Sequence, residues 1–466
     1  MEVSRRDFLG SSAAAIAATG AGTLLPSTAV GKTSAPITAD IGKLDRVLVH
    51  SVKATSGLTT QFGRALIPGV DFDPSAVEAQ HAALNALLRK SGAEVIELVD
   101  ALSAAREATL AGGIWEAWID AAYPRLGSSP NDITPDIIFG HDEDWLYRLD
   151  RDGNYDHFVD ALGSTMWTRD SAFMTPKGLV ICNSSSTSRG RENMLLRFAY
   201  KYSPLLNDTP IAIDAVEQAF IIEGGDAMVV DRNSMFLGVG NRTSPNAAAI
   251  LAEQLNMDVF AVQIGTPKFL RETYPGEKRD FSDLALLFLH LDTSFTLVGS
   301  KHALALPYVF EHEHAEDNPL ARYIRGALRR SLLPEEEAEE ALELLKGIGT
   351  LTRYKAGSGK AERIEGMKLV DFCRSEGYRI TNTGGKIPDG DAAAFAHFMS
   401  VTYGEQRRQA SNVVQALPGR VIAYEGNPAT AAALQADGIA VDTFPGRELW
   451  NWHGGPHCLT QPLLRS

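Results

Sequence analysis

The chain reads as an α/β protein built from repeated strand–strand–helix–strand modules set around a centre. Three observations lead there. The order of two strands, a helix and a third strand occurs in "AFIIEGGDAMVVDRNSMFLGVGNRTSPNAAAILAEQLNMDVFAVQI" and again near "LALLFLHLDTSFTLVG". It occurs once more around "RVIAYEGNPATAAALQADGIAVDTF". No nucleotide-type glycine loop opens these helices, which argues against one open doubly wound sheet. The third is composition: at 466 residues, with 44% hydrophobic and 22% charged residues, the chain is an ordinary soluble globular protein with enough length for a large core.

The elements follow in order. "SRRDFLGSSAAAIAATGAGTLL" places Arg5 and Arg6 ahead of Phe8-Leu9 and a modestly apolar, Ala/Gly-rich run. Twin arginines before such a run mark a Tat signal, so residues 1–35 are expected to be a leader recognised by the Tat export machinery, cleaved between Ala29 and Ala35. The run is too short and glycine-rich for a membrane anchor. The mature protein is then expected to be periplasmic or secreted, with residues 36–466 as one catalytic domain. "LDRVLVHSV" (44–52) predicts a buried first strand, and "PSAVEAQHAALNALLRKSGAEVIEL" an amphipathic helix followed after Gly92 by a strand. Residues 99–160 lack strand alternation and read as a helical insertion. "TRDSAFMTPKGLVICN" predicts a hairpin turning at "TPKG", and a second hairpin turns at "DRNS". A second insertion spans about 310–400 and contains a helix opened by Pro334 with acids in its first turn.

The net charge of −14 and pI near 5.3 argue against nucleic acid or an anionic membrane as partner. A small cationic substrate is compatible with them. Three cysteines occur, Cys182, Cys373 and Cys458, so at least one thiol stays unpaired even in an oxidising compartment. Cys458, behind "GGPH", is either a buried packing residue or a nucleophile delivered by a loop. "EHEHAED" (311–317) and "DRDGNYD" (150–156) lack the spacing of a metal or calcium site and read as a solvated loop and a turn. No cofactor motif and no metal site are expected, and the sequence sets no oligomeric state.

Polar groups embedded in apolar runs carry the chemistry. In "LHLDTSF", His290 and Asp292 lie two apart on a predicted strand and share a face. Glu223 and Asp226 flank paired glycines in "IIEGGDAMVV", Asp170 opens an apolar run in "WTRDSAF", and Arg242 follows a strand in "GVGNRTSP". A free cysteine, a histidine and several carboxylates suit covalent attack on a planar cation. Carboxylates pair bidentately with a guanidinium, and proximity offsets its poor electrophilicity beside a thiolate.

"WTRD", "EGGD…GVGNRTSP", "HLDTSFTLV", "EQRRQASNVVQALPGRVIAYEGNPAT" and "GGPHCLTQPLLR", in this order, resemble bacterial arginine deiminases of the guanidino-group-modifying superfamily. The resemblance runs from about residue 44 onward. It implies a five-bladed, pseudo-symmetric α/β propeller of ββαβ modules with a helical insertion. It also implies Cys458 as the nucleophile, His290 as general acid and then base, Glu223 as its orienting partner, and Asp170 and Asp292 as the guanidinium clamp. Arg189, in "SRGRE", and Arg242 match positions that hold the substrate carboxylate. Two departures bear on recognition: His453 stands where the family has an arginine, and Ser164 where it has an asparagine. "HCLTQ" also resembles the nucleophile segment of agmatine deiminases, which lack "HLDT" and "NRTS" in this form. The leading expectation is hydrolysis of a guanidino compound, L-arginine first, to a ureido product and ammonia. An amidinotransferase, a deiminase of agmatine or peptidyl-arginine, and a non-catalytic periplasmic guanidine-binding protein are the alternatives.

Overall fold

The computed structural model describes residues 37–53, 73–123, 129–139, 165–186, 189–265 and 287–466. The expected leader, Ser164 and the 150–156 stretch lie outside these residues. Strand β1 (Leu44–Val49) is followed by helix α1 (Pro74–Lys90) and β2 (Glu94–Glu97), which pairs parallel to β1. Helix α1 starts where physical chemistry favours it: the Asp73 side chain accepts from the Ser75 N–H, Pro74 needs no donor, and Arg89 and Lys90 end it.

In the expected insertion, the described part is helical: α2 (Leu98–Leu110) and α3 (Ile114–Ala122). Trp115 meets Phe198 edge-on at 5.4 Å and Trp118 meets it at a tilt at 4.5 Å between ring centres, which fastens α3 to the second module. That module is β3 (Ala172–Thr175), β4 (Gly178–Ile181), α4 (Gly190–Tyr202) and β5 (Ile211–Asp214). The third is β6 (Ala227–Asp231), β7 (Ser234–Val239), α5 (Pro245–Leu255) and β8 (Asp258–Gln263), with turns at the two predicted hairpin positions.

The fourth begins with β9 (Phe295–Gly299) and β10 (His302–Ala305). The chain then runs through α6 (Pro319–Arg329), α7 (Glu335–Gly347), β11 (Thr350–Tyr354), β12 (Ala361–Lys368) and α8 (Leu369–Ser375) before β13 (Arg379–Asn382) closes the sheet. The stretch expected as a second insertion is therefore woven into the sheets. β13 completes the fourth, while β11 and β12 extend the third beyond β8. The fifth module is β14 (Val414–Leu417), β15 (Arg420–Tyr424), α9 (Pro428–Ala436) and β16 (Ala440–Phe444). The last strand, β17 (Gln461–Arg465), returns to pair antiparallel with β1.

Five sheets thus share one pattern. In each, the entering strand pairs antiparallel with the middle strand, which pairs parallel with the strand after the crossover. Parallel neighbours require a long crossover, and a helix supplies it. The protein is a mixed α/β structure. Among the described residues no helix is long and apolar enough to cross a membrane.

One local expectation is corrected. His290 and Asp292 do not share the face of a strand: a single 3-10 turn, Leu291–Thr293, carries the chain into β9. The turn redirects the two side chains toward different partners.

Candidate active site

Each sheet delivers its polar residues from the turn that leads into its entering strand. Asp170 lies in the turn Thr168–Ser171 before β3, and Glu223 caps the turn Gly224–Asp226 before β6. His290 and Asp292 precede β9, Asn412 precedes β14, and Cys458 precedes β17. Strand ends are where side chains leave a rigid scaffold in a fixed direction. All six residues are at least nine-tenths buried.

Cys458 is a free thiol, as are Cys182 and Cys373. Its Sγ lies 3.1 Å from Asn412 Nδ2 and 3.4 Å from Asp292 Oδ2. Asn412 also accepts the Cys458 N–H at Oδ1 (3.1 Å) and donates to the Asp292 carbonyl (3.0 Å). One side chain thus ties nucleophile and carboxylate together. The glycine pair before the cysteine is required by close approach: a Cβ on Gly455 would stand 2.5 Å from Asn412 Oδ1, and one on Gly454 would collide with the Trp167 ring. Burial, then the negative charges of Asp292 and Asp170, push the thiol well above its ordinary range. The resting sulfur is a thiol.

His290 Nε2 is 2.8 Å from Glu223 Oε2, and Nδ1 is 3.5 Å from Asp170 Oδ1. Burial alone would disfavour the imidazolium. The charge of Asp170, the hydrogen bond to Glu223 and the further carboxylate of Asp226 outweigh it and raise the pKa to about 9. Glu223 is held well below the carboxylate range despite burial, by His290, Arg242 and Arg189. Its other oxygen accepts from Ser184 Oγ (2.5 Å) and the Ser185 N–H (3.0 Å). Asp226 is committed to donors of the protein itself. It accepts from the Leu291 N–H (2.9 Å) and Thr243 Oγ1 (2.6 Å), and burial raises its pKa to about 7. It braces the His290 turn.

Asp170 Oδ2 accepts from Arg189 Nη1 at 2.7 Å, and Asp292 Oδ2 pairs with His457 Nδ1 at 2.8 Å. The Oδ1 atoms of Asp170 and Asp292 are both buried and accept no hydrogen bond. Two half-satisfied carboxylates beside one thiol make a receptor for a planar cation with several N–H groups. Asp170, Glu223 and His290 also place ligand atoms within 4.8 Å of one another, the one such group among the described residues that could hold a metal ion.

Arg189, expected from the resemblance to hold the substrate carboxylate, pairs here with carboxylates of the protein. Its guanidinium points inward, to Asp170, to Glu192 (Nε to Oε2, 2.8 Å) and toward Glu223 (3.7 Å). Three carboxylates outcompete solvent for it. Arg242 is a quarter exposed, with Nη1 3.5 Å from Glu223 Oε1. His453 lies five residues before Cys458 in a left-handed turn conformation (φ 67°) and is half-buried. Sequence reading missed Asn412, Ser184, Ser185, Arg169, His457 and Asp40. For Asn412 a signal existed, a polar residue directly ahead of the apolar strand "VVQAL".

A family model described as "Arginine deiminase" matches residues 140–323 and 398–465, more than half of the chain. The arginine deiminase of Bacillus cereus (strain B4264) is 25% identical over 458 residues, covering 92% of this chain and 98% of that protein. The arginine deiminase of Borrelia duttonii (strain Ly) is 26% identical over 451 residues, covering 92% and 97%. Among solved structures, dimethylarginine dimethylaminohydrolase from Pseudomonas aeruginosa in complex with citrulline superposes with a TM-score of 0.44 at 12% identity, covering 90% and 99%. The chain belongs to the arginine deiminase family and is a hydrolase acting on carbon–nitrogen bonds of amidines.

Proposed function

We propose that the protein hydrolyses a small guanidino compound, L-arginine foremost, to its ureido product and ammonia through a covalent adduct on Cys458. The observation that carries this reading is the pair of buried Oδ1 atoms on Asp170 and Asp292 flanking the Cys458–His290 pair. A guanidinium bridging them supplies the missing donors. Its positive charge also counters the burial and the two carboxylates that hold the sulfur protonated, so substrate binding promotes loss of the thiol proton to solvent and leaves the thiolate. Asn412 Nδ2 donates to that thiolate.

The thiolate attacks the guanidinium carbon to form a C–S bond. The C–N bond to the leaving nitrogen breaks as His290, an imidazolium held by Glu223, passes a proton to it and ammonia departs. The neutral imidazole then takes a proton from water, the hydroxide adds to the same carbon, and the C–S bond breaks as the new hydroxyl's proton passes to the departing sulfur, which returns the thiol and the ureido product. Arg242 is proposed to pair with the substrate's carboxylate. The five ββαβ modules, each feeding the site from one strand end, support a pseudo-symmetric five-bladed propeller with the site at its centre. The twin arginines at 5 and 6 support export by the Tat route to the periplasm, with residues 36–466 as the mature catalytic domain.

Purified mature protein is incubated with L-arginine, agmatine, a peptidyl-arginine and methylated arginines, and ureido product is measured. Product from arginine without an added amine is the expected result. A new guanidino compound formed on an added amine, with no ureido product, makes the protein an amidinotransferase, and binding without turnover makes it a guanidine-binding protein.

A further inference from the structure

A chain of buried charge leads from the N-terminal segment to the substrate clamp, and no step of the reaction above uses it. Asp40 is pinned to β6: its N–H donates to the Val229 carbonyl, and its Oδ2 accepts from the Val229 N–H, each at 2.8 Å. Its Oδ1 accepts from Arg169 Nη2 at 2.8 Å. Arg169 is 1% exposed. Its Nη2 is 2.5 Å from His457 Nε2, and His457 Nδ1 is 2.8 Å from Asp292 Oδ2.

We propose that Arg169, held by Asp40, is a positioning residue that fixes His457 in its Nδ1–H tautomer and so commits one oxygen of Asp292 to the protein and leaves the other for the guanidinium. The reasoning is one of donors and acceptors. An arginine nitrogen only donates, so Nε2 facing Nη2 must be the bare ring nitrogen. The proton of a neutral imidazole then sits on Nδ1, where a carboxylate oxygen stands ready to accept it. Arg169 Nε also approaches Nδ1, at 3.4 Å, and cannot be served by a nitrogen that is itself donating. The shorter contact to Asp292 prevails. The groups facing His457 balance toward the neutral ring. Burial and then Arg169 disfavour the imidazolium, while Asp292 and Asp40 favour it less strongly, and Arg465 stands behind Asp40. A doubly protonated His457 would draw Asp292 into a full ion pair and weaken its hold on a cation.

The proposal rests on Asp292 being the clamp, but its first test needs no turnover. In protein labelled with 15N-histidine, the His457 signals are identified by their loss in a folded His457→Gln variant. At pH 7 the wild type is expected to show Nδ1 protonated and Nε2 bare. An Nε2–H tautomer or an imidazolium overturns the proposal whether or not the protein turns over a guanidino compound. Kinetics form the second test. Arg169→Met should raise KM roughly tenfold or more with a smaller change in kcat, because a lost charge-assisted contact weakens binding in ground and transition states alike. It should also bring in a new acid limb near the ordinary imidazole pKa of about 6.5, activity falling as pH drops through it. Asp40→Asn leaves one acceptor oxygen where Asp40 gives one each to Arg169 and Val229, so one of the two contacts is lost and KM should shift in the same direction as in Arg169→Met by a smaller factor, about threefold. An Arg169→Met protein that folds, keeps the wild-type pH profile and loses only thermal stability shows a merely structural arginine and overturns the proposal.

Discussion

Replacing Gly225 with alanine adds one methyl group against both His290 and Asp170. The new Cβ would stand 2.7 Å from His290 Nδ1 and 2.9 Å from Asp170 Oδ1. Ordinary contact begins at 3.4 Å, so the imidazole must retreat by about 0.7 Å. His290 has little freedom to do so, since Nε2 is held by Glu223 and the Leu291 N–H by Asp226. A displacement near 1 Å in a catalytic group costs about a hundredfold in rate, which is about 2.7 kcal/mol in the barrier. Overpacking adds a stability loss of roughly 1–3 kcal/mol. The assay is steady-state ureido formation at saturating substrate, alongside chemical unfolding. Gly347→Ala is the control, because a Cβ there meets nothing within 4 Å and the residue ends α7 without a left-handed backbone. It should keep full activity and equal or slightly exceed wild-type stability. A Gly225→Ala enzyme with kcat within about threefold of wild type would refute the placement of His290 against Asp170.

Arg242→Ala should lower kcat/KM for L-arginine roughly thirty- to a thousand-fold, the worth of a charged hydrogen-bond partner, and affect agmatine far less; equal losses would show that Arg242 supports structure. Because the His290 pKa is raised to about 9, kcat/KM should hold through neutral pH and fall as pH rises through about 9, where the general acid is lost. The stability contributed by the His290–Glu223 pair, fully present below the ordinary imidazole pKa, is lost over the same rise; stopped pH-jump unfolding and a pH–rate profile measure the two effects. A variant carrying Arg5→Lys and Arg6→Lys should remain in the cytoplasm, as read by fractionation; wild-type export of that variant would remove the Tat assignment.

The module order was legible because strands and crossover helices differ in period and because proline opens α1, α5 and α9. What periodicity could not show was the entry turn. "LHLDTSF" has the alternation of a strand, yet the chain makes a 3-10 turn there, since Asp226 accepts the Leu291 N–H that a ladder would otherwise use. The weave of residues 310–400 was hidden for a related reason: β13 joins β10 across more than seventy residues of intervening helix and strand. In the candidate site, residues whose type announces chemistry stood out, among them Cys458, His290 and Glu223. Asn412 and Arg169 did not, because an amide near a strand and an arginine in a polar tetrapeptide look like surface until folding buries them. Arg189 was matched to a substrate-carboxylate position only through the resemblance carried by "SRGRE", and it pairs with the protein's own Asp170 and Glu192.

The account stands most directly on the bond between Cys458 and the substrate carbon. Protein mixed with L-arginine is quenched in acid within a single turnover and digested, and the peptide containing Cys458 is weighed. His290→Gly is run in parallel, since it removes both the acid that expels ammonia and the base that activates water. The expected result is a mass increase equal to arginine less ammonia, confined to that peptide, strongly reduced in His290→Gly and absent from Cys458→Ser, which is folded and inactive. Ureido product formed with no adduct on Cys458, together with a Cys458→Ser enzyme within about tenfold of wild type, would contradict the covalent mechanism.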